Sequence, residues 1–180
     1  MEPENIQLEC GIWDREGSCL IPLSLLETLP IYHRKTIPVE YLDLMGHMNI
    51  RWYFDMFAKS GRKFFTSHGL GEDYFRQGNF GVFTLKQYIQ YFAEVRVGQT
   101  VAVHTRLIGR SAKRFHFMHF MINETTTQLA ATFEALITHV DLNIRRAASM
   151  PPHIARQFDA SLAKDEPLDW MAPVCGTMRV

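Results

Sequence analysis

The chain has few cysteines and no surplus of charge, and both absences limit what it can be. Its 180 residues include three cysteines, Cys10, Cys19 and Cys175, without a Cys-x-x-Cys pair. An odd number without that spacing argues against a disulfide framework and against a structural zinc site. Nineteen basic residues balance nineteen acidic ones, so a general nucleic-acid or acidic-membrane binder is not expected.

Long hydrophobic runs are also absent. The most apolar early stretch, residues 19–32, is interrupted by Pro22, Glu27 and Pro30 and is too short to span a bilayer. The start, Met1-Glu-Pro-Glu, is acidic and lacks the apolar core of a secretory signal. We therefore expect a cytoplasmic protein without membrane insertion.

The length and composition of the chain are those of one soluble domain. The apolar fraction is 47% and the charged fraction 21%, and 180 residues suffice for one substantial core. From Ile50 to His68 the apolar residues recur at the spacing of one helix face. Asn49 before this run is a good N-cap and Gly69 after it a good stop, so the pattern predicts one long helix.

Strand-like sequence surrounds this helix. Residues 36–41 predict a first strand, and four longer runs rich in Val, Phe and Thr follow the helix, at residues 80–92, 100–109, 113–123 and 128–141. Their short polar connections favour antiparallel neighbours. A short helical turn is expected near residues 24–28, another near 72–77, and a final helix at residues 154–164. The pattern is α+β, with a long helix wrapped by a curved antiparallel sheet.

The polar turn before the long helix contains the groups best suited to chemistry. Backbone N–H groups at a helix N-terminus lack partners and carry the positive end of the helix dipole, so they can polarise an acyl carbonyl. Gly46 permits a tight turn there. Asp43 is a candidate general base or nucleophile. Taken singly, Asp43 is more simply a capping aspartate, His47 a packing residue and Asn49 an N-cap.

The spacing of Asp43, His47 and Asn49 taken together is more specific than any of these residues alone. The segment Asp43-Leu-Met-Gly46-His47-Met-Asn49-Ile-Arg-Trp-Tyr53 resembles the D-x-x-G-H-x-N-x-x-x-Y signature of hot-dog-fold acyl-CoA thioesterases of the 4-hydroxybenzoyl-CoA thioesterase type. The resemblance implies a hot-dog fold over residues 36–145, an N-terminal extension over 1–35, and a C-terminal helix and tail over 146–180. It also implies a homodimer or a dimer of dimers.

The resemblance assigns roles within this segment. Asp43 takes the place of the family's catalytic carboxylate, with His47 and Asn49 ordering the loop. The N–H donors of the oxyanion site fall among Gly46, Met48 and Ile50. Some relatives use a carboxylate on the central helix instead, for which Asp55 is the candidate; its simpler interpretation is a partner for Lys59 at i+4.

Coenzyme A would be part of the substrate, so no separate cofactor is expected. Its phosphates require a local cationic patch, and the turn containing Arg110, Ser111, Lys113 and Arg114 is the candidate. No metal site is predicted, because His116 and His119 point to opposite faces of a strand. Hydrolysis of acyl-carrier-protein thioesters remains an alternative. So does a non-catalytic hot-dog binding protein, because Tyr41 and Ile50 stand where members often carry polar residues.

Overall fold

The computed structural model describes residues 10–13 and 19–180, with side chains from Ile21 onward. The acidic start of the chain and the side chains of Cys10 and Cys19 therefore lie outside the described residues. Cys175 is a free thiol. None of the helices in the described part of the chain combines the length and apolar character needed to cross a membrane.

The four predicted helices and the four strands predicted after the long helix occur in the predicted order, and the structure adds short strands at residues 10–13, 19–22 and 146–147. The elements are β1 (Cys10–Trp13), β2 (Cys19–Pro22), α1 (Leu23–Glu27), β3 (Ile31–Thr36), a 3-10 turn (Val39–Tyr41), α2 (Ile50–Ser67), α3 (Glu72–Arg76), β4 (Phe80–Tyr91), β5 (Thr100–Arg110), β6 (Arg114–Asn123), β7 (Gln128–Asp141), β8 (Arg146–Ala147) and α4 (Pro152–Asp165). The predicted long helix, the four strands after it and the C-terminal helix are confirmed to within a few residues at each end.

The strands form two sheets. β1 and β2 pair as a small antiparallel sheet, and the main sheet has six strands in the order β3-β5-β6-β7-β4, with β8 also paired to β7. The main sheet is curled and antiparallel. The predicted α+β arrangement of one long helix with one antiparallel sheet is confirmed.

The first strand lies earlier than predicted. Residues Ile31–Thr36 form β3, which pairs antiparallel with β5, whereas the sequence predicted a strand at residues 36–41. Ile37 still exchanges backbone hydrogen bonds with Gln99 and Gly98, but Pro38 has no N–H and ends the ladder. Val39–Tyr41 then turns into one 3-10 turn. β3 escaped detection because it is a polar edge strand with mostly exposed side chains.

Both predicted ends of α2 are confirmed. The side-chain oxygen Oδ1 of Asn49 accepts a hydrogen bond from the N–H of Arg51 at 3.0 Å, which satisfies one of the free donors of the first turn. Gly69, just beyond the helix, has a φ of +83°. This left-handed conformation ends the helix and favours glycine.

The described residues group into two compact units. The first comprises the described residues up to Ser60 together with residues 90–105 and 119–132; the second comprises residues 61–89, 106–118 and 133–180. In the first unit, Met56 and Phe57 of α2 are fully buried, and the ring of Phe57 stacks on His119 of β6 at 5.9 Å. Burying such a side chain contributes about 1.5–3 kcal/mol.

The second unit has an aromatic core. Phe64 of α2 contacts Phe117 of β6 at 5.2 Å, and Phe65 contacts Phe115 at 5.5 Å. Phe158 of α4 stacks on Phe115 at 4.7 Å. The C-terminal helix therefore covers part of the sheet. Sequence periodicity predicted this helix but not the surface against which it packs.

The C-terminal tail covers a buried histidine–glutamate pair in the second unit. Glu134 of β7 and His116 of β6 are 2.8 Å apart and almost fully buried. The other carboxylate oxygen of Glu134 accepts the backbone N–H of Cys175 at 2.7 Å. Since both oxygens are satisfied, the buried carboxylate is tolerated, and the tail is anchored to the sheet.

Candidate active site

The loop between the 3-10 turn and α2 is closed by its own hydrogen bonds. The N–H of Asp43 donates to the carbonyl of His47 at 2.9 Å, and the N–H of Gly46 donates to the carbonyl of Asp43 at 3.1 Å. Gly46 has a φ of +83°, a conformation that side chains with a Cβ rarely adopt. This tight loop places Asp43 and His47 side by side at the start of the helix.

The carboxylate of Asp43 has one oxygen engaged and one directed at His47. Oδ1 accepts the N–H of Met45 at 2.8 Å, which fixes the side-chain direction. Oδ2 lies 3.4 Å from Nδ1 of His47, and the two side chains are only 16% and 25% exposed, respectively. The carboxylate is thus held in place by the backbone yet still reaches the surface, as a general base or nucleophile must.

Three backbone N–H groups were predicted as oxyanion donors, and the loop uses two of them. Gly46 donates to Asp43 as described, and Met48 donates to the carbonyl of Val95 at 2.7 Å. The N–H of Asn49 also has a partner, the carbonyl of Tyr41 at 2.9 Å. Within the described part of the chain, the N–H of Ile50 has no acceptor. Of the three predicted donors, Ile50 is therefore the one whose N–H is not already hydrogen-bonded within the described part of the chain.

An aromatic stack fixes the position of the helix start. The rings of Tyr41 and Trp52 are parallel, with centroids 3.8 Å apart. The guanidinium of Arg51 lies 4.3 Å from the Trp52 ring, and the ammonium of Lys35 lies 5.8 Å from the Tyr41 ring. These contacts hold the first turn of α2 against the segment before Asp43. Sequence patterns do not reveal this stack, because its partners are eleven residues apart across a turn.

A cavity opens beside the helix start. Its volume is about 290 Å³, and it lies entirely within the first unit. Its lining is mostly apolar and aromatic and consists of His47, Met48, Ile50, Tyr53, Tyr91, Phe92, Ala93 and Glu94. His47 and Ile50 connect the cavity to the predicted catalytic loop.

Two tyrosines form one side of this cavity. Tyr53 is 4% exposed, and its ring meets that of Tyr91 edge to face, with centroids 5.2 Å apart and planes at 86°. The hydroxyl of Tyr53 donates to the carbonyl of Ala93 at 3.4 Å. Burial raises the pKa of Tyr53 to about 12, so its phenol stays neutral. Sequence reasoning included Tyr53 in the motif but gave neither tyrosine a role.

Neither Asp43 nor the rival carboxylate Asp55 lines this cavity itself, but Asp43 contacts the lining residue His47, whereas Asp55 is paired elsewhere. Oδ2 of Asp55 lies 2.6 Å from the ammonium of Lys59 at i+4. The simpler interpretation, a helix-surface ion pair, is confirmed.

The predicted basic turn belongs to the second unit, and one of its cations is already paired. Nε of Arg110 donates to Oδ1 of Asp159 on α4 at 2.6 Å, and a second guanidinium nitrogen donates to Oδ2. This bidentate pair raises the pKa of Arg110 and lowers that of Asp159. Ser111 closes the turn by bonding to Arg114. The exposed side chains of Lys113 and Arg114 are left as phosphate-binding candidates.

The histidines of the sheet have structural partners. His116 contacts Glu134, His119 contacts the hydroxyl of Thr105 at 2.7 Å, and His139 contacts that of Tyr74 at 2.7 Å. Among the residues that the structure describes, no group of three or more His, Cys, Asp or Glu side chains could hold a metal ion.

Sequence comparisons agree with the motif. The profile of the thioesterase-like superfamily matches residues 37–158. An Agrobacterium fabrum protein named L-carnitine dehydrogenase/betainyl-CoA thioesterase is 31% identical over 134 residues, which are 74% of this chain and 27% of that protein. A Pseudomonas aeruginosa protein named betainyl-CoA thioesterase is 26% identical over 134 residues, covering 74% of this chain and 84% of its own. The chain thus spans about a quarter of the length of the Agrobacterium protein.

Solved structures share the fold. A Staphylococcus aureus protein in complex with CoA superposes with a TM-score of 0.75 at 22% identity, covering 84% of this chain and 96% of that one. A 1,4-dihydroxy-2-naphthoyl-CoA thioesterase from Synechocystis gives a TM-score of 0.65 at 17% identity, with coverages of 72% and 96%. The predicted hot-dog fold is confirmed. Because the family profile spans the loop around Asp43, the long helix and the main strands together, the chain belongs to the thioesterase-like superfamily.

Proposed function

We propose that this chain hydrolyses acyl-CoA thioesters at the loop that carries Asp43. The observation that carries the proposal is the juxtaposition of three features at one helix start. The carboxylate of Asp43 is held in place by the N–H of Met45, the N–H of Ile50 has no acceptor in the described part of the chain, and a cavity lined by His47, Met48 and Ile50 opens at the helix end of this loop.

In this mechanism the thioester carbonyl oxygen binds at the N–H of Ile50, at the positive end of the α2 dipole. Asp43 accepts a proton from a water molecule, and the hydroxyl oxygen adds to the carbonyl carbon. The oxyanion that forms is stabilised by Ile50. When it collapses, the carbon–sulfur bond breaks and the thiolate of CoA leaves with a proton from Asp43. His47 and Asn49 order the loop, and no cofactor takes part.

Asp43 could instead attack the carbonyl carbon itself and form a mixed anhydride, which water then cleaves. The two routes differ in where solvent oxygen goes. After turnover in water enriched in oxygen-18, label enters the Asp43 carboxylate only if an anhydride is opened at the Asp43 carbonyl.

We propose that the active protein is a dimer or a dimer of dimers, and that Lys113 and Arg114 bind the phosphates of the CoA held by a neighbouring copy of the chain. The dimer proposal is supported by the edge strand β4, on which Leu85 and Tyr88 are 46% and 43% exposed. A monomer rarely leaves large apolar side chains on a sheet edge, because such an edge pairs readily with another chain. Betainyl-CoA is the first acyl group to test, since proteins named for that activity are similar to this chain.

The decisive variant is Asp43→Asn. Its amide oxygen can still accept the N–H of Met45, so folding should be preserved, but it cannot accept a proton from water. We expect turnover to fall about 100- to 10,000-fold, the range for losing a general base, as measured by thiol release. The matched control is Asp55→Asn, which removes a carboxylate from the same helix region and should leave turnover near wild type.

Full activity in Asp43→Asn would overturn this mechanism, and loss of activity in Asp55→Asn alone would transfer the catalytic role to Asp55. Comparing one acyl group on CoA and on acyl carrier protein separates the two carriers. Binding of an acyl-CoA without turnover would identify a binding protein instead.

A further inference from the structure

The size and the lining of the cavity beside Ile50 indicate which kind of acyl group it can hold. Its volume of about 290 Å³ lies at the lower limit of the ~300–1,000 Å³ typical of ligand pockets. This space suits a small acyl group better than a long chain. The lining then decides between an aliphatic, an aromatic and a charged group of that size.

Two tyrosines and a glutamate are among the residues that line this cavity. The rings of Tyr53 and Tyr91 stand at 86° to each other, and both residues line the cavity together with Glu94. None of the lining residues is a lysine or arginine. Both phenols stay neutral, because burial raises the pKa of Tyr53 to about 12 and also raises that of Tyr91. Aromatic faces with a nearby carboxylate attract cations, above all quaternary ammonium groups.

Glu94 has a partner, but a weak one. Arg96 lies 3.3 Å from its carboxylate, and the two side chains are 68% and 58% exposed for Arg96 and Glu94, respectively. An exposed pair of this kind contributes little free energy. Glu94 can therefore turn towards a cation that enters the cavity.

We propose that the acyl group carries a quaternary ammonium, which binds in the corner formed by Tyr53 and Tyr91 and pairs with Glu94. This assignment rests on the proposed thioesterase function. In an acyl group of the betainyl type one methylene separates the quaternary nitrogen from the carbonyl carbon. The cation and the reacting carbonyl must then occupy the same cavity, and Ile50 and the tyrosine pair do line one cavity.

The test compares a cationic thioester with its neutral isostere. Betainyl-CoA and 3,3-dimethylbutyryl-CoA have the same shape, but the second has carbon in place of the charged nitrogen. We expect kcat/KM to be roughly tenfold or more higher for the cationic substrate, the size expected for cation–π contacts with two rings. Equal values would overturn the proposal, and so would a preference for benzoyl-CoA, which would assign the aromatic corner to an aryl group.

Variants of the cavity residues test which side chains cause this selectivity for the cationic substrate. Tyr91→Leu should lower this selectivity ratio by roughly three- to tenfold, chiefly through KM, whereas Tyr91→Phe should keep it because the ring face remains. Glu94→Gln should lower the ratio, and the loss should shrink at high salt. The matched control is Glu72→Gln, which removes an exposed carboxylate that also pairs with an arginine, Arg76, at 2.9 Å; the ratio should not change. An unchanged ratio in both Tyr91→Leu and Glu94→Gln would overturn the assignment.

A binding measurement separates this inference from the proposed function. Thioether analogues of the two substrates, with a methylene in place of the carbonyl, are titrated against the wild-type protein by calorimetry. Tighter binding of the cationic analogue supports the site even if no thioester is hydrolysed, in which case only the thioesterase proposal fails. Hydrolysis of both thioesters with equal binding of both analogues would overturn the cation site and leave the thioesterase proposal standing.

Discussion

At the scale of single residues, most backbone N–H groups of the loop around Asp43 are already hydrogen-bonded within the protein. Gly46, Met48 and Asn49 all donate their N–H groups to backbone carbonyls, and Met45 donates to Asp43. Two groups have no backbone partner in the described part of the chain: the N–H of Ile50 and the second carboxylate oxygen of Asp43, which lies 3.4 Å from Nδ1 of His47. A rigid frame around a few available groups is what electrostatic preorganisation requires.

Asn49 connects loop order to helix stability, and its replacement tests that connection. In Asn49→Ala the N–H of Arg51 loses its acceptor, so we expect the free energy of unfolding to fall by about 1 kcal/mol. Turnover should fall further than this small loss explains, because the N–H of Ile50 is aimed by the capped turn. Urea denaturation and thiol release measure the two effects. Asn49→Ser, which can still cap the helix, should restore most of both; unchanged turnover in Asn49→Ala would contradict a positioning role.

The sequence identified these loop residues because their chemistry is local. A cap, a turn glycine and a carboxylate within seven positions are visible as a pattern, and the family signature strengthened it. Tyr91 and Glu94 were missed because they lie about forty residues further along the chain and reach the cavity only through the fold. The pairing of Arg110 with Asp159 was missed for the same reason, since the two residues are 49 positions apart.

At the scale of elements, three neighbouring strands of the sheet each bury a histidine. His104 lies on β5, His119 on β6 and His139 on β7, and all three are buried. Burial lowers the pKa of each, that of His119 to about 3. In the unfolded chain the same rings titrate near ~6.5. Neutral rings therefore stabilise the fold above that pH, and their contribution is lost as the pH falls.

These buried histidines predict that the folded protein becomes less stable in acid. For His119 the unfolded state binds more protons than the folded state between about pH 6.5 and 3, so the free energy of unfolding should fall with decreasing pH in that window, by at most about 1.4 kcal/mol per pH unit. The lowered pKa values of His104 and His139 act in the same direction. Urea denaturation at several pH values measures the slope. His119→Phe should make it shallower, whereas His153→Asn, at an exposed position, should leave it unchanged. Equal slopes in wild type and His119→Phe would refute the contribution of His119.

Elements were predicted well where hydrophobic periodicity was strong. α2, with an apolar face and capping residues, and the apolar strands β5 to β7 were found almost to the residue. β3 was misplaced because an exposed edge strand of Tyr, His, Arg and Lys carries no apolar alternation. The anchoring of the tail by Glu134 and Cys175 was also beyond sequence reasoning, since a buried carboxylate on a strand does not indicate which segment will cover it.

At the scale of the whole molecule, the edge strand β4 is the feature that a single chain leaves unexplained. It ends the strand order of the main sheet, and its middle residues are mostly exposed. Edge strands in monomers are usually short, charged or covered. β4 is twelve residues long and contains Leu85 and Tyr88 among its exposed side chains, which fits a strand that meets a second copy.

A charged substitution on β4 tests whether this strand forms a dimer interface. Light scattering after gel filtration should give the wild-type protein twice the chain mass of 20.9 kDa, or four times that mass for a dimer of dimers. Tyr88→Lys should shift the population towards the monomer, because a lysine on an edge strand opposes pairing with another strand. If the active site is completed across the two copies, the specific activity of this variant should rise with protein concentration as dimers re-form. A wild-type protein that is monomeric and fully active at all concentrations would show that one copy suffices and that β4 is exposed for another reason.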